Sequence, residues 1–573
     1  MGMPVSRISV AGNSLLITFK YHPRLLNVIR EVDGRYFNKD KRRWEVPVEN
    51  VVECWDALKE HGFIADSEVL ALYEKRAVEL QKIADIKRVS APYLGTLPLY
   101  DFQKTGAAFL RELPAALLAD VPGLGKTLQV AAAFEDSNGQ ILVLVPASLK
   151  FNWKDELFKW LPKDRSLVIH GTKQERAEQW SYANKGMPRG NGRIYPKWVI
   201  ANYELLLHDF AQIAQRDHEW SAIVCDEADR IANPFAKTTK ALKMIRSSKR
   251  IALTGTPVSN TPEDLFSIID WLYPRFLGSF SQFQKKYCKL HPEYRRVIGY
   301  QNLELLRERV DPIMLRRLKE DVLKDFPPKT VEYVKFDLDK DERKLYEDVK
   351  KMILEEIRKE AEFNTSTLGI VPVKMLRLKQ CTDHPLLLGS GATSSKLQVL
   401  RDMLEPIIKS GEKAIIFTQF AQMAEILAEA LKHFSELQFP MVITGGVDAQ
   451  ERKKIVDVFN ASANRHILIL TEAGTYGLNL QSATYVFHYD APWSVSKIEQ
   501  REGRAHRVGQ DKPVSVYHLV ANRSIDEYVL KVLSGKRVMS NKLLGDDVEE
   551  VPMHMTQADI EEILGGELYE EED

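Results

Sequence analysis

The stretch Ala115-Ala-Leu-Leu-Ala-Asp-Val-Pro-Gly-Leu-Gly-Lys-Thr127 decides how the rest of the chain is read. Ala115–Leu118 is an apolar run of strand length, and Lys126-Thr127 opens a helical pattern. Glycines between them let backbone N–H groups approach phosphate oxygens. A lysine at this place can neutralise β- and γ-phosphates, and a threonine hydroxyl can hold Mg²⁺. The strict G-x-x-x-x-G-K-T spacing would put glycine at 120, where Asp120 stands, with Gly123 instead. The plainer alternative is a glycine-rich strand-to-helix turn that ends in lysine.

About 100 residues downstream, Cys225-Asp-Glu-Ala-Asp229 follows the apolar run Ala222-Ile-Val. Carboxylates at the C-terminal end of a strand sit where open α/β sheets bind ligands. Asp226 is placed to hold Mg²⁺ and Glu227 to orient and activate water for in-line attack on a γ-phosphate. An exposed acidic loop is the competing reading, and Cys225 reads as a buried strand thiol. Near the far end, Gln500-Arg-Glu-Gly-Arg-Ala-His-Arg507 puts Arg504 and Arg507 three apart, on one face of an expected helix. Guanidinium groups there can stabilise charge developing on the γ-phosphate. A solvated basic helix explains the same spacing equally well.

Around these motifs the chain alternates strand-like and helical segments. Residues 91–275 carry apolar runs at Ala115–Leu118, Ile141–Val145, Val199–Ala201, Ala222–Cys225 and Arg250–Leu253. Residues 391–545 repeat that rhythm at Ala414–Phe417, Met441–Ile443, Ile467–Leu470, Tyr485–His488 and Val514–Leu519. Such alternation means βα units and parallel sheets. Residues 276–390 read as mostly helical and basic. Residues 1–63 read as a small α+β unit with hairpins at Gly12-Asn13 and Asn38–Lys41, and residues 64–90 as a helical connector. The expected fold is therefore α/β, with two parallel-sheet lobes, helical insertions between them and a small N-terminal α+β module.

Composition first argues the other way on partners. Lys+Arg and Asp+Glu are both 80, for a formal charge of +0. Residues 546–573, an acidic tail, hold twelve acidic residues and no Lys or Arg, which leaves 80 basic against 68 acidic in residues 1–545. The excess is +2 over 1–90, +7 over 91–390 and +3 over 391–545. A neutral total therefore averages a basic body with an acidic end and does not exclude nucleic acid. The four cysteines show no C-x-x-C spacing, which argues against a zinc site or a disulfide framework. No run of about 18 apolar residues suggests a membrane span.

Together the motifs resemble those of the Swi/Snf-type superfamily-two ATPases. Leu99-Tyr-Asp-Phe-Gln103 is similar to the adenine-reading segment, and Ala119–Thr127 to the P-loop DEMGLGKT with Val121-Pro122 in place of Glu-Met. Val145-Pro-Ala-Ser148 with Trp153 resembles the first DNA-contact motif. Asp226–Asp229 reads DEAD where the family usually has DEAH. Leu253-Thr-Gly-Thr-Pro257 with Asn260 resembles the coupling motif. Leu315-Arg-Arg-Leu-Lys319 is close to a segment that few other helicases carry, and Lys379-Gln-Cys-Thr-Asp-His-Pro385 looks like the family's LRQICNHP. In the second lobe Phe417–Phe420, Thr444-Gly-Gly446, Gly477–Leu480 and Gly503–Gln510 also resemble the family's motifs. Residues 5–62 more weakly resemble the HARP-type module of annealing helicases, through Gly34-Arg-Tyr-Phe37 and Lys41-Arg-Arg-Trp44.

The resemblance implies RecA-like lobes at 91–275 and 391–545, with protrusions and an inter-lobe linker at 276–390. It implies ATP and Mg²⁺ as cofactors. Nucleotide contacts would fall to Gln103, Gly123, Leu124, Gly125, Lys126, Thr127 and Gln500, Mg²⁺ to Thr127 and Asp226, and catalysis to Lys126, Asp226, Glu227, Arg504 and Arg507. DNA contacts would fall to Arg42, Arg43, Trp44, Ser148, Asn260, Thr444 and Trp493. Trp44 reads as core or as a base-stacking residue, and Trp493 as packing or as a DNA contact. The implied activity is ATP-driven translocation on double-stranded or branched DNA that remodels or anneals it. A strand-separating helicase and a motor subunit of a larger assembly are the alternatives. A monomer with no membrane association is expected, in the cytoplasm of a bacterial or virus-infected cell, or in the nucleus of a eukaryote.

Overall fold

The computed structural model describes residues 6–88, 93, 95–189, 192–214, 219–258, 261–291, 297–323, 326–363, 371–391, 393–432, 440–462, 466–472 and 478–544. The acidic tail, Asn260 and Gly477 lie outside these residues. The chain divides into two compact units, one holding most residues up to Leu318 and the other most residues from Lys319 together with Pro122–Leu124.

The first unit is built on a seven-stranded parallel sheet. Its order is Met314–Leu315, Ala115–Leu118, Arg250–Leu253, Ala222–Asp226, Ile141–Val145, Trp198–Asn202, Ser166–Val168. The central strands are buried from end to end, as Ile141-Leu-Val-Leu-Val145 and Ala222-Ile-Val-Cys-Asp226 require when helices cover both faces. The second unit holds a six-stranded sheet in the order Lys329–Phe336, Val514–Ala521, Tyr485–His488, Ala414–Thr418, Ile467–Thr471, Met441–Ile443, also parallel throughout. These are the two parallel-sheet lobes expected from the sequence.

The segment 276–390 is mostly helical, as its sequence reads. It carries the helices Phe280–Tyr287, Leu303–Val310, Lys340–Phe363 and Val371–Asp383. It also supplies an edge strand to each sheet, Met314–Leu315 and Lys329–Phe336, and the hairpin Cys288–Leu290 with Val297–Tyr300. Edge strands need no continuous apolar run, because only part of one face is covered. Lys329-Thr-Val-Glu-Tyr-Val-Lys-Phe336 is exposed at most positions, so its sequence carried no core signal.

Residues 7–65 form a five-stranded sheet, ordered Tyr36–Asn38, Arg43–Pro47, Ser14–Thr18, Arg7–Ala11, Ile64–Ala65, against the helices Pro23–Glu31 and Val51–Lys59. Ile8, Leu15, Ile17, Ile29, Val46 and Leu58 fill its core. Ion pairs join this small module to the helical part of the first unit. Lys286 Nζ donates to both oxygens of Asp33 at 3.0 and 2.8 Å, and Arg309 is ion-paired with Glu53 at 2.7 Å. Gly34 sits at φ +76°, and a Cβ there would lie 2.6 Å from the carbonyl of Arg275. Part of the motif Gly34-Arg-Tyr-Phe37 is thus used to dock the module.

Candidate active site

The strand Ala115–Leu118 runs straight into the glycine turn, and the helix Lys126–Ala133 leaves it. Gly123 and Gly125 adopt φ +96° and +74°, left-handed values that a side chain would strain. Gly125 is the N-cap of the helix, so the first N–H groups of that helix are free of intrahelical partners and can meet an anion. Lys126 Nζ donates to the carbonyl of Asp120 at 2.7 Å, and Leu124 is buried. Gln103, on the helix Asp101–Glu112, is buried with its amide against the turn: a Cβ on Gly125 would lie 2.7 Å from Gln103 Nε2. Its Oε1 accepts from the Tyr100 N–H at 3.1 Å and closes the helix cap.

Asp120 is fully buried and fully engaged. Arg317 donates to its two oxygens, Nε to Oδ1 at 2.9 Å and Nη2 to Oδ2 at 2.5 Å, and Gln129 Nε2 donates at 3.0 Å. Ala119 and Val121 N–H groups donate to the carbonyls of Leu315 and Arg317, so the segment 315–317 runs beside the start of the turn. The neighbouring Arg316 donates to the carbonyl of Gly255 at 3.1 Å, within Thr254-Gly-Thr-Pro257. Asp120 is therefore a structural anchor at the root of the glycine turn.

Asp226 and Glu227 end the strand Ala222–Asp226, on the same edge of the sheet as the glycine turn. One strand, Arg250–Leu253, separates the two, a spacing of about 10 Å between strand axes. Asp226 Oδ2 accepts from the Trp153 indole at 2.8 Å, its Oδ1 from the Glu227 N–H at 3.0 Å, and its carbonyl from the Tyr203 hydroxyl at 2.7 Å. Glu227 sits at φ 49° and ψ 59°, a left-handed conformation that costs a non-glycine residue about 1–3 kcal/mol. Strain of this kind persists where the surrounding structure holds a side chain for use. Burial pushes the carboxyl of Asp229 up to about 6. The donor set Thr127 and Asp226 offers a hydroxyl and a carboxylate, hard oxygens of the type Mg²⁺ prefers, and so fits that ion.

In the second unit the expected helix face does not form. The helix Val495–Glu502 carries Gln500 but ends before both arginines, and Arg504 and Arg507 lie in the turns beyond it. The buried amide of Gln510 explains this. It donates to the carbonyls of Gln481, Ala483 and Ala505 at 2.9, 3.3 and 3.2 Å, holding residues 503–510 as a folded loop. Both arginines are half-buried. Thr444, with Gln419, Gly446, Thr471 and Glu472, lines a cavity of about 510 Å³ in this unit, around the C-terminal ends of the strands Met441–Ile443 and Ile467–Thr471.

The remaining candidate DNA residues fall in different settings. Arg42 is exposed in the hairpin of the small module, Arg43 is ion-paired with Glu45 at 3.1 Å, and Trp44 packs half-buried against Phe37 with ring centroids 5.1 Å apart. Ser148 is half-buried in the turn that starts the helix Lys150–Trp160. Trp493 packs against the second-unit core, edge-on to Tyr528 at 6.3 Å. Trp153, grouped by sequence with the DNA-contact motif, points inward to Asp226 instead. His488, Glu502 and His518 cluster in the second core. The two imidazoles stack at 4.3 Å and 8°, so their in-plane lone pairs do not converge on one ion, and Lys329 already pairs with Glu502 at 2.5 Å.

Comparison with known proteins accounts for this arrangement. The SNF2-related domain matches residues 102–387, and the helicase conserved C-terminal domain matches residues 395–509. The chain belongs to the Swi/Snf-type ATPase family. An uncharacterized ATP-dependent helicase of Mycoplasma pneumoniae is 32% identical over 465 residues, covering 78% of this chain and 42% of that protein. The mouse SWI/SNF-related matrix-associated actin-dependent regulator of chromatin subfamily A member 1 is 29% identical, covering 77% and 43%. This Swi/Snf-type chain thus spans about two fifths of the length of these curated relatives. The solved SWI2/SNF2 ATPase core of Sulfolobus solfataricus in complex with dsDNA is 28% identical, covering 80% of this chain and 99% of that one, with a TM-score of 0.38.

Proposed function

We propose that this Swi/Snf-type chain hydrolyses ATP to move along double-stranded DNA, remodelling or annealing it. The observation that carries the reading is the sheet edge of the first unit. There the left-handed Gly125 turn with Lys126 and the strand end Asp226-Glu227 stand one strand apart. In this reading Gln103 reads the adenine, and the helix N-terminus with Lys126 takes the β- and γ-phosphates. Thr127 and Asp226 hold Mg²⁺, which when bound neutralises phosphate charge. Glu227 orients the attacking water, and Arg504 and Arg507 of the second unit stabilise charge on the γ-phosphate.

DNA is taken as the track because the family's relatives include chromatin regulators and because residues 91–390 hold a +7 excess of basic side chains. Phosphate-directed binding of this kind carries little sequence specificity. The HARP-like reading of the small module gives Arg42, Arg43 and Trp44 a role at branched DNA. Strand separation is the second reading, favoured by the name of the Mycoplasma relative, an ATP-dependent helicase.

ATPase rates measured with single-stranded, duplex, forked and nicked DNA test the proposal. Several-fold stimulation by duplex or fork supports a translocase, and a rate indifferent to all nucleic acids overturns it. Release of free single strands from a labelled fork would select the helicase reading.

A further inference from the structure

The indole of Trp153 is the least expected neighbour of the acidic strand end. It is 2% exposed, and its only polar atom, Nε1, donates to Asp226 Oδ2 at 2.8 Å. The opposite carboxylate oxygen, Oδ1, accepts the Glu227 N–H at 3.0 Å, and Tyr203 fixes the main chain of the same residue through its carbonyl at 2.7 Å. Asp226 is thereby held from three directions: by the helix Lys150–Trp160, by the segment that follows the strand Trp198–Asn202, and by its own successor.

We propose that Trp153 is a positioning residue that sets the orientation of the Asp226 carboxylate for Mg²⁺. The inference rests on the nucleotide reading of this site. A carboxylate has a broad preference about its last torsion, so a strand-end aspartate without side-chain donors samples many orientations. N–H donors on both oxygens remove that freedom. A carboxylate has about four lone-pair sites, so it can accept the indole N–H and still ligate a cation. Donors behind a metal ligand orient it and tune its affinity, and their loss typically costs about 10–100-fold in metal binding. Without the indole N–H, Oδ2 would lose a buried donor, and the carboxylate would be freer to turn.

The test removes one N–H. Trp153 is replaced by its sulfur isostere, β-(3-benzothienyl)alanine, which keeps the bicyclic shape, and separately by phenylalanine, W153F. Binding of a fluorescent ATP analogue is followed by anisotropy across a Mg²⁺ titration, with no turnover measured. The expected result is unchanged affinity in EDTA, which also reports intact folding, and a Mg²⁺ half-saturation raised about 10–100-fold. Parent-like Mg²⁺ dependence in the isostere protein overturns the proposal even if W153F is destabilised. A parent protein that binds no nucleotide, or one in which K126A leaves nucleotide binding intact, overturns the site reading and this inference with it.

Discussion

Arg317 closes a two-point ion pair on the buried carboxylate of Asp120, at 2.9 and 2.5 Å. The pair ties the segment before the second unit to the root of the glycine turn. The same guanidinium donates to Gln129 Oε1 at 2.7 Å and to the carbonyl of Phe102, and lies 5.4 Å over the Phe102 ring. The segment at Phe102, the root of the glycine turn and Leu315-Arg-Arg-Leu-Lys319 are thus pinned by one side chain. Removing one partner of a buried pair leaves an uncompensated charge, at a cost of about 3–5 kcal/mol. R317M should therefore lower the stability of the first unit by that order in urea unfolding. D120N should cost less once R317M is present. A double-mutant cycle with no coupling would refute the linkage.

The chemistry of the sheet edge gives a sharper pair of variants. K126A should abolish hydrolysis by removing the charge proposed to meet the phosphates. E227Q keeps the shape of the strained residue but cannot accept a proton from water, so it should bind ATP and not turn it over. Single-turnover assays beside nucleotide binding separate the two. Normal turnover by E227Q would sink the role given to Glu227.

How legible this site was depends on where its signals lie. The placement of Lys126 after a glycine turn and of Asp226 and Glu227 at a strand end is readable because both are local patterns. The central strands were readable because Ile141–Val145 and Ala222–Asp226 are continuous apolar runs. The partners of Asp120 and Asp226 were not, because Arg317 and Trp153 come from 197 and 73 residues away in the chain. Trp153 belongs to a segment that resembles a DNA-contact motif, and sequence spacing does not say that its own side chain faces inward to Asp226. The arginine loop was misread as helix for a similar reason. Its conformation is set by the side chain of Gln510, which reaches carbonyls from two separate segments.

Acid should loosen the second unit through His506. Burial, aided by Lys319 at 3.4 Å, holds this imidazole down at about 4, while Nε2 donates to the Pro327 carbonyl at 2.9 Å. An unfolded imidazole takes up its proton near 6.5. Between these values the unfolded chain binds more protons, so stability is fully present above about pH 6.5 and falls as pH drops toward 4. H506Q can keep the donor to Pro327 without titrating. Its urea midpoint should therefore change less between pH 7 and 4.5 than that of the parent. Some slope should remain, since burial also holds His488 and His518 below the usual range. An unaltered slope in H506Q would rule His506 out as a source.

The joint of the small module can be tested apart from its proposed contact with DNA. Asn50 is buried, and its Nδ2 bridges the carbonyl of Asp33 at 2.8 Å and that of Phe276 at 3.2 Å. N50A leaves both acceptors without this donor, at a cost of about 1–3 kcal/mol. Hydrogen exchange should then speed up across residues 7–65 while the central strands of the first unit stay protected. Arg42 is exposed in the hairpin between Tyr36–Asn38 and Arg43–Pro47, so R42A should change stability by no more than about 0.5 kcal/mol. If that hairpin meets a phosphate, R42A should weaken fork binding and reduce the salt slope by about 1. An exchange pattern altered by R42A, or fork binding untouched by it, would show that the module serves the fold alone.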